Sequence, residues 1–245
     1  MNMSHNYKLI AMIPARLGSK RIPKKNIRYL YDKPLIQYPI DLALQSNGFE
    51  SVWVNTESEE LGEIVQTMGA KFHRRPPELA VDTATNRDFT YEFLKKHECD
   101  YVVMVNSTSP ALRKETMDKF VAFVQENEFD VVMSVQDIQT WCFYEGKPLN
   151  FDTNEMIQSQ KLPAISGVAW ALTAWKREAF IRMQESGECP VFGGKKGNIG
   201  LFPIPKDETV DLDNEEDWNI AEGIMEARRT RVTRGVRYLD LGKKE

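Results

Sequence analysis

Residues 9–28 read LIAMIPARLGSKRIPKKNIR. Leu9 to Ile13 is an unbroken apolar run, and continuity rather than alternation marks a strand buried on both faces. Pro14 ends it. The loop that follows, Arg16 to Arg28, holds six lysines and arginines and no acid. In an open α/β sheet, ligands bind outside the carboxyl ends of the strands, which is where such a loop lies. Gly18 and Ser19 let backbone N–H groups approach an anion, and fixed cations neutralise several phosphate charges at once. A polyphosphate site is one reading, and a solvated basic loop is the plain alternative. The loop is neither a Walker A nor a GxGxxG turn.

Outward from this stretch, short apolar runs alternate with amphipathic ones. Strands are expected at Ser51 to Asn55, around Ala70 to Phe72, at Tyr101 to Val105, Asp130 to Val135, Val168 to Leu172, Ile199 to Ile204 and Thr209 to Leu212. Helices are expected at Leu35 to Ser46, Ser58 to Met68, Thr85 to His97, Lys114 to Glu126, Lys176 to Gln184 and Glu215 to Arg229. Pro39 counts against the first helix unless it lies in the first turn. This rhythm predicts a single α/β domain over residues 1–230, a mostly parallel sheet flanked by helices. Trp141 to Pro163 breaks it. Its aromatics and the turn signal Gly146-Lys147-Pro148 read as an inserted hairpin or excursion. The tail is basic, with Arg228, Arg229, Arg231, Arg234 and Arg237, and residues 231–245 read as a solvated or subunit-contacting extension rather than a nucleic-acid arm.

Composition narrows the classes further. The chain has 245 residues, 42% hydrophobic and 28% charged, with a formal net charge of −4. That balance offers no overall basic footprint for nucleic acid. Cys99, Cys142 and Cys189 are too few and too scattered for a disulfide framework, which favours a reduced, cytoplasmic setting. No stretch reaches the roughly 20 apolar residues of a membrane helix, and the apolar run near the N-terminus is too short for a signal-peptide core.

Three further stretches carry chemistry. Asp211-Leu212-Asp213, if extended, points two carboxylates to one face, where they can share a hard divalent cation. Taken alone, capping of the helix near Glu215 explains them better. Arg74 to Thr85 (RRPPELAVDTAT) sets twin arginines beside two prolines, a rigid loop with donors to offer or a surface turn capping the next helix. Asn106-Ser107-Thr108-Ser109-Pro110 follows the Tyr101 to Val105 run. Small hydroxyl and amide side chains there suit a sugar or base edge, or else a helix cap.

At these stretches the sequence resembles the CMP-sialic acid synthetase (acylneuraminate cytidylyltransferase) family. Its IPAR-x-GSK-x-(I/L)P-x-KN motif matches IPARLGSKRIPKKN at 13–26, RP-x-ELA-x-DTA matches RPPELAVDTA at 75–84, and D-(I/L)-D matches 211–213. The resemblance implies a Rossmann-like fold and Mg²⁺-dependent transfer of CMP from CTP to an acidic sugar, with pyrophosphate released. By position, Arg16, Ser19 and Lys25 hold the triphosphate, Asn26 supports the loop, Arg75 meets the cytosine with backbone from the Ala80 loop, and Asp211 and Asp213 hold Mg²⁺. Arg16, Lys25 and Asp211 become the catalytic candidates; Ala15, Gly18, Asn106 and Ser107 complete the nucleotide-binding set. The resemblance also implies a dimer or higher homo-oligomer, with Trp141 to Pro163 as the segment that crosses to a partner.

Two departures bear on the acceptor. The family's QPTSPLR becomes NSTSPALR, with Asn106 for glutamine and Ala111 inserted. Its (R)-x-NGA-(I/V)-Y becomes Ile165-Ser166-Gly167-Val168-Ala169-Trp170, without the arginine and asparagine expected near a sugar carboxylate. An acceptor other than ordinary N-acetylneuraminate follows: an octulosonate, another nonulosonate, a phosphonate or a phosphate-bearing alcohol. No histidine is well placed as a base. A CTP-binding protein without turnover and a basic-tailed nucleic-acid binder are the alternatives from other classes.

Overall fold

A computed structural model describes residues 5–195 and 197–230. The basic tail, with Arg231, Arg234 and Arg237, lies outside the described residues. The elements in chain order are β1 (Leu9–Pro14), a two-stranded hairpin β2 (Tyr29–Leu30) and β3 (Lys33–Pro34), α1 (Gln37–Gln45), β4 (Ser51–Thr56), α2 (Glu59–Thr67), β5 (Lys71–Arg74), α3 (Asn86–Lys96), β6 (Tyr101–Val105), α4 (Lys114–Glu126) and β7 (Val131–Ile138). After a small hairpin, β8 (Phe143–Tyr144) and β9 (Lys147–Pro148), come β10 (Ile165–Lys176), α5 (Arg177–Glu185), β11 (Ile199–Pro203) and α6 (Glu215–Arg229).

One seven-stranded sheet runs in the order β11-β7-β10-β6-β1-β4-β5. All its neighbours pair in parallel except β10, which is antiparallel to both β6 and β7. The mostly parallel expectation holds, and β10 is the exception. Its apolar run is longer than the expected Val168 to Leu172, and its pairing with β7 slips between Val168 and Thr173. Within that bulge Trp170 adopts φ 56, a left-handed conformation costly for a bulky side chain and recurrent beside functional sites. Asn106 N–H donates to the Ala171 carbonyl at 3.0 Å, so the bulge is tied to the loop after β6.

Alternate residues of β1 face two cores. Leu9, Ala11 and Ile13 pack with residues of α1, α2 and α4, and Ile10 and Met12 with α3 and α5. A third, smaller core joins Ile22, Leu30 and Leu35 to Leu212, Trp218 and Ala221. It sits beside the basic loop, and Trp218 is 2% exposed. Burying side chains of this size contributes roughly 1.5–3 kcal/mol each, so the satellite core fastens α6 and residue 212 to the loop after β1.

Several local expectations resolve in detail. Pro39 falls at the third residue of α1, where it removes no helix hydrogen bond. Ser58 caps α2, its Oγ accepting from Leu61 N–H at 3.1 Å. Thr209 to Leu212 is not a strand; it is a loop after a 3₁₀ turn at Lys206–Glu208. The buried Glu208 carboxylate anchors that turn by accepting the Arg113 N–H at 2.9 Å and the Thr116 hydroxyl at 3.0 Å. The excursion does contain a hairpin, but its turn is Glu145-Gly146, both with positive φ, and Lys147–Pro148 is already strand.

His73 on β5 and His97 after α3 are joined by a 2.8 Å Nδ1–Nε2 hydrogen bond, and His73 Nε2 meets Glu92 at 2.8 Å. Burial pushes His97 down to about 4, with the neighbouring His73 adding to the fall, and burial also lowers His73. Both folded-state values lie below the ordinary histidine value, so protons favour the unfolded chain. The associated stability is complete above pH ~6.5 and drains as pH falls towards 4. The thermal midpoint of the natural chain is therefore expected to fall more between pH 7 and 5 than that of His97→Gln. Parallel pH slopes in the two would refute this.

Candidate functional site

The carboxyl ends of β1, β4, β5 and β6 open on one cleft of about 410 Å³, lined by residues of the loops that follow β1, β5 and β6. Ala15, Arg16, Ser19, Lys25, Asn26, Arg75, Asn106 and Ser107 all line it. Gly18, Ala80, Asp211 and Asp213 stand outside the immediate wall. Ala80 is one contact away, its carbonyl 3.3 Å from Arg16 Nη1. Asp211 is equally close, accepting the hydroxyl of Thr108, which lines the cleft. Gly18 faces open space and has no positive φ, and Ser19 N–H is taken by the Leu17 carbonyl at 2.9 Å. The loop therefore presents mainly side-chain donors.

Those side chains are held from a distance. The loop has no acid of its own, yet Arg16 and Lys20 meet Asp82 at 2.7 and 2.5 Å, Arg21 meets Asp213 at 2.7 Å, and Arg28 meets Glu215 at 2.6 Å. Lys25 Nζ donates to the Leu212 carbonyl at 2.5 Å. Burial lowers the Lys25 pKa from its ordinary value, and Asp211 and Asp213 partly offset the fall. The chain enters this segment through Lys24 in a left-handed conformation, φ 53. Asn26 fixes the loop by donating Nδ2 to the Arg16 carbonyl at 2.9 Å. Its Oδ1 is buried without a partner among the described residues, an acceptor whose desolvation is uncompensated, while the residue itself lines the cleft.

The twin arginines part company. Arg74 is exposed and pairs with Glu59 at 2.7 Å. Arg75 is 3% exposed, donating Nε to Asn55 Oδ1 at 2.8 Å and Nη2 to the Asn55 carbonyl at 2.7 Å. Its guanidinium lies 4.4 Å over the Phe89 ring, a cation–π contact strengthened by desolvation. Burial pulls its pKa down to about 10, so it stays charged at neutral pH. Nη1 has no hydrogen-bond partner among the described residues. Asn55 is the residue that sequence reasoning missed here, since a polar side chain inside an apolar strand carries no local signal of what it holds.

The capping alternatives can be decided from the hydrogen bonds. Helix α6 is capped by Asn214, whose side chain accepts from Glu216 and Asp217 N–H at 2.9 and 3.0 Å. Asp217 completes the box by accepting the Asn214 N–H at 3.0 Å. The carboxylates of Asp211 and Asp213 are left for other work. The Asn106 to Pro110 run caps nothing either: α4 begins at Lys114, and the carboxylate at its start is Glu208. The loop after β5 does end in a cap, formed by Thr85 and Asp88.

Leu212 is fully buried in the satellite core, while Asp211 accepts from the Thr108 hydroxyl and Asp213 from Arg21. Burial pushes Asp211 above the usual carboxylate range; the Thr108 hydroxyl draws it back, and the charge of Asp213 adds to the rise. Two mutually repelling carboxylates form an oxygen-only donor set that suits a hard divalent cation. Among the described residues no group of three or more His, Cys, Asp or Glu that could hold a metal ion gathers at one point. His73 and His97, joined to each other and Glu92, line no part of the cleft. Thr108, Asp82, Asn86 and Phe89 join the wall beyond the expected residues.

Comparison with known proteins places this arrangement. A sequence profile of the cytidylyltransferase family matches residues 10–185. N-acylneuraminate cytidylyltransferase A of Danio rerio is 32% identical over 217 residues, covering 86% of this chain and 49% of that protein. CMP-N,N'-diacetyllegionaminic acid synthase of Legionella pneumophila is 29% identical over 238 residues, covering 89% and 97%. The chain spans about half the length of the fish acylneuraminate relatives it matches. Among solved structures, CMP:2-keto-3-deoxy-manno-octonic acid synthetase complexed with CTP superposes with a TM-score of 0.67 at 19% identity, covering 90% of this chain and 99% of that one. That likeness speaks for the Rossmann-like fold. With the profile spanning well over half of its residues, the chain belongs to the cytidylyltransferase family.

Proposed function

We propose that this protein transfers CMP from CTP to an acidic sugar of the nonulosonate or octulosonate type and releases pyrophosphate. The observation that carries the reading is the convergence of Arg16, Lys20, Lys25 and the buried Arg75 on one cleft beside two carboxylates. The names of its relatives, which act on acylneuraminate and diacetyllegionaminic acid, supply the acceptor class.

In this reading Arg16, Lys20 and Lys25 bind the triphosphate, and Lys25, anchored on the Leu212 carbonyl, holds the charge that develops on the departing pyrophosphate. Arg75 and backbone near Ala80 meet the cytosine, and Asn26 supports the loop through its bond to the Arg16 carbonyl. The acceptor hydroxyl attacks the α-phosphorus in line with the leaving group. Positioning and charge neutralisation account for most of the acceleration, since little covalent chemistry falls to the protein. Asp211 and Asp213 would hold Mg²⁺, which when bound supplies charge neutralisation at phosphate and acceptor oxygens. The altered Ile165 to Trp170 segment favours an acceptor other than ordinary N-acetylneuraminate.

The exposed Phe143, Tyr144, Leu149 and Met156 of the excursion support a homodimer formed through it. The free Cys99, Cys142 and Cys189 fit a reducing cytoplasm. No helix among the described residues is long and apolar enough to cross a membrane.

Pyrophosphate release is expected with CTP and Mg²⁺ but not with UTP, ATP or GTP, and only with one class in a panel of nonulosonate, octulosonate and phosphonate acceptors. Binding of CTP with silence across the panel would instead favour a non-catalytic binder. Lys25→Ala should lower turnover about a hundredfold or more while unfolding stays cooperative; near-natural rates would remove Lys25 from this role. Chelation with EDTA should abolish release, and Asp213→Asn should require more Mg²⁺ for half-maximal rate. An unchanged Mg²⁺ requirement would exclude Asp213 as a ligand.

A further inference from the structure

Asp82 lies in the loop between β5 and α3, with one carboxylate oxygen 2.7 Å from Arg16 Nη1 and the other 2.5 Å from Lys20 Nζ. All three residues line the same cleft. A two-oxygen anion bridging two cations is the arrangement a phosphate adopts when bound by arginine and lysine together. Asp82 therefore stands where a phosphate's oxygens would be received.

The fold gives Asp82 no other employment. The cap of α3 is made by Thr85 and Asp88, the Arg75 guanidinium is held by Asn55, and Arg21 and Arg28 have acids of their own. The Asp82 side chain is 43% exposed and that of Lys20 83%, so neither is fixed by packing. Hydrogen bonds from Lys20 and then Arg16 hold the Asp82 carboxyl below the usual range, so it is ionised wherever the enzyme works.

We propose that Asp82 is an intramolecular competitor for the polyphosphate, a tethered anion that yields Arg16 and Lys20 to the incoming triphosphate and reclaims them as pyrophosphate leaves. The need for one follows from the charge of the cleft. Five cations (Arg16, Lys20, Arg21, Lys25 and Arg75) line it, and a site of that charge holds a free polyanion long after the reaction is over. Exposed ion pairs are individually weak, so a polyphosphate displaces Asp82 readily, yet the carboxylate is always at hand to displace it in turn. The identity of the anion rests on the transfer reading above; the competition itself does not require it.

The test is calorimetric binding of inorganic pyrophosphate to the full chain, the natural protein against Asp82→Asn and Asp82→Glu, at 50 and at 300 mM NaCl. Removing the competitor should lower the pyrophosphate Kd of D82N about 3- to 10-fold at low salt, the equivalent of two weak surface ion pairs. The gap should narrow at high salt, and D82E should return the Kd towards the natural value. In turnover, D82N should become more sensitive to inhibition by added pyrophosphate by a similar factor. An unchanged Kd in D82N overturns the proposal. So does a weaker Kd, which would make Asp82 a brace, and so does a lack of pyrophosphate binding by either protein. Tighter binding by D82N in a chain that turns over no nucleotide would uphold the competition and sink the transfer reading. Turnover of CTP with an unchanged Kd would do the opposite.

Discussion

Six positive charges within thirteen residues repel one another, and a loop of that composition does not hold them convergent unaided. The structure answers with anions from far along the chain. Asp213 and Glu215, which pair with Arg21 and Arg28, sit where the chain returns at the start of α6. Apolar burial, rather than charge, brings them there: Ile22 of the loop and Leu212 between the two aspartates share one small core with Trp218. The ion pairs are exposed and weak; the core is dry, and it sets the geometry in which they form. The basic loop is thus a product of the whole fold and would not persist as a local structure.

This division explains what was legible beforehand. The runs at Leu9 to Ile13 and Tyr101 to Val105 have no alternative but burial on both faces, so the parallel centre of the sheet could be read directly. The motif residues on the strand ends could be placed because loops there must face the ligand side. Three things escaped. Antiparallel β10 is invisible because direction in a sheet depends on connection, and a buried run reads alike in both senses. Thr209 to Leu212 has the composition of a strand, but its Leu212 N–H bonds to the Thr108 carbonyl within a loop. Finally, the roles of Asn55 and Asp82 depend on partners 20 and 66 residues away, which no local pattern records.

Two parts of the sheet are built on different principles. The first rests on continuous parallel strands β1, β4 and β6, with buried Arg75 and Asn26 fixed by backbone and side-chain bonds. The second comprises β7 and β10, where pairing slips and Trp170 takes a left-handed backbone. The two meet through the Asn106 to Ala171 hydrogen bond, so a change in the bulge is felt at the loop after β6, which lines the cleft.

The excursion leaves the end of β7 and re-enters at the start of β10, two strands already paired side by side. Its ends are therefore held together whatever lies between them, clasped by Gln139 on the Gln160 and Leu162 carbonyls and by Asn150 on those of Thr140 and Pro163. Closing such a loop becomes only slowly more expensive with length, about 0.6 kcal/mol for each doubling. Residues can be added or lost there with little consequence for the sheet, so a lineage can lengthen, shorten or rebuild this segment while the strands that carry the cleft stay as they are.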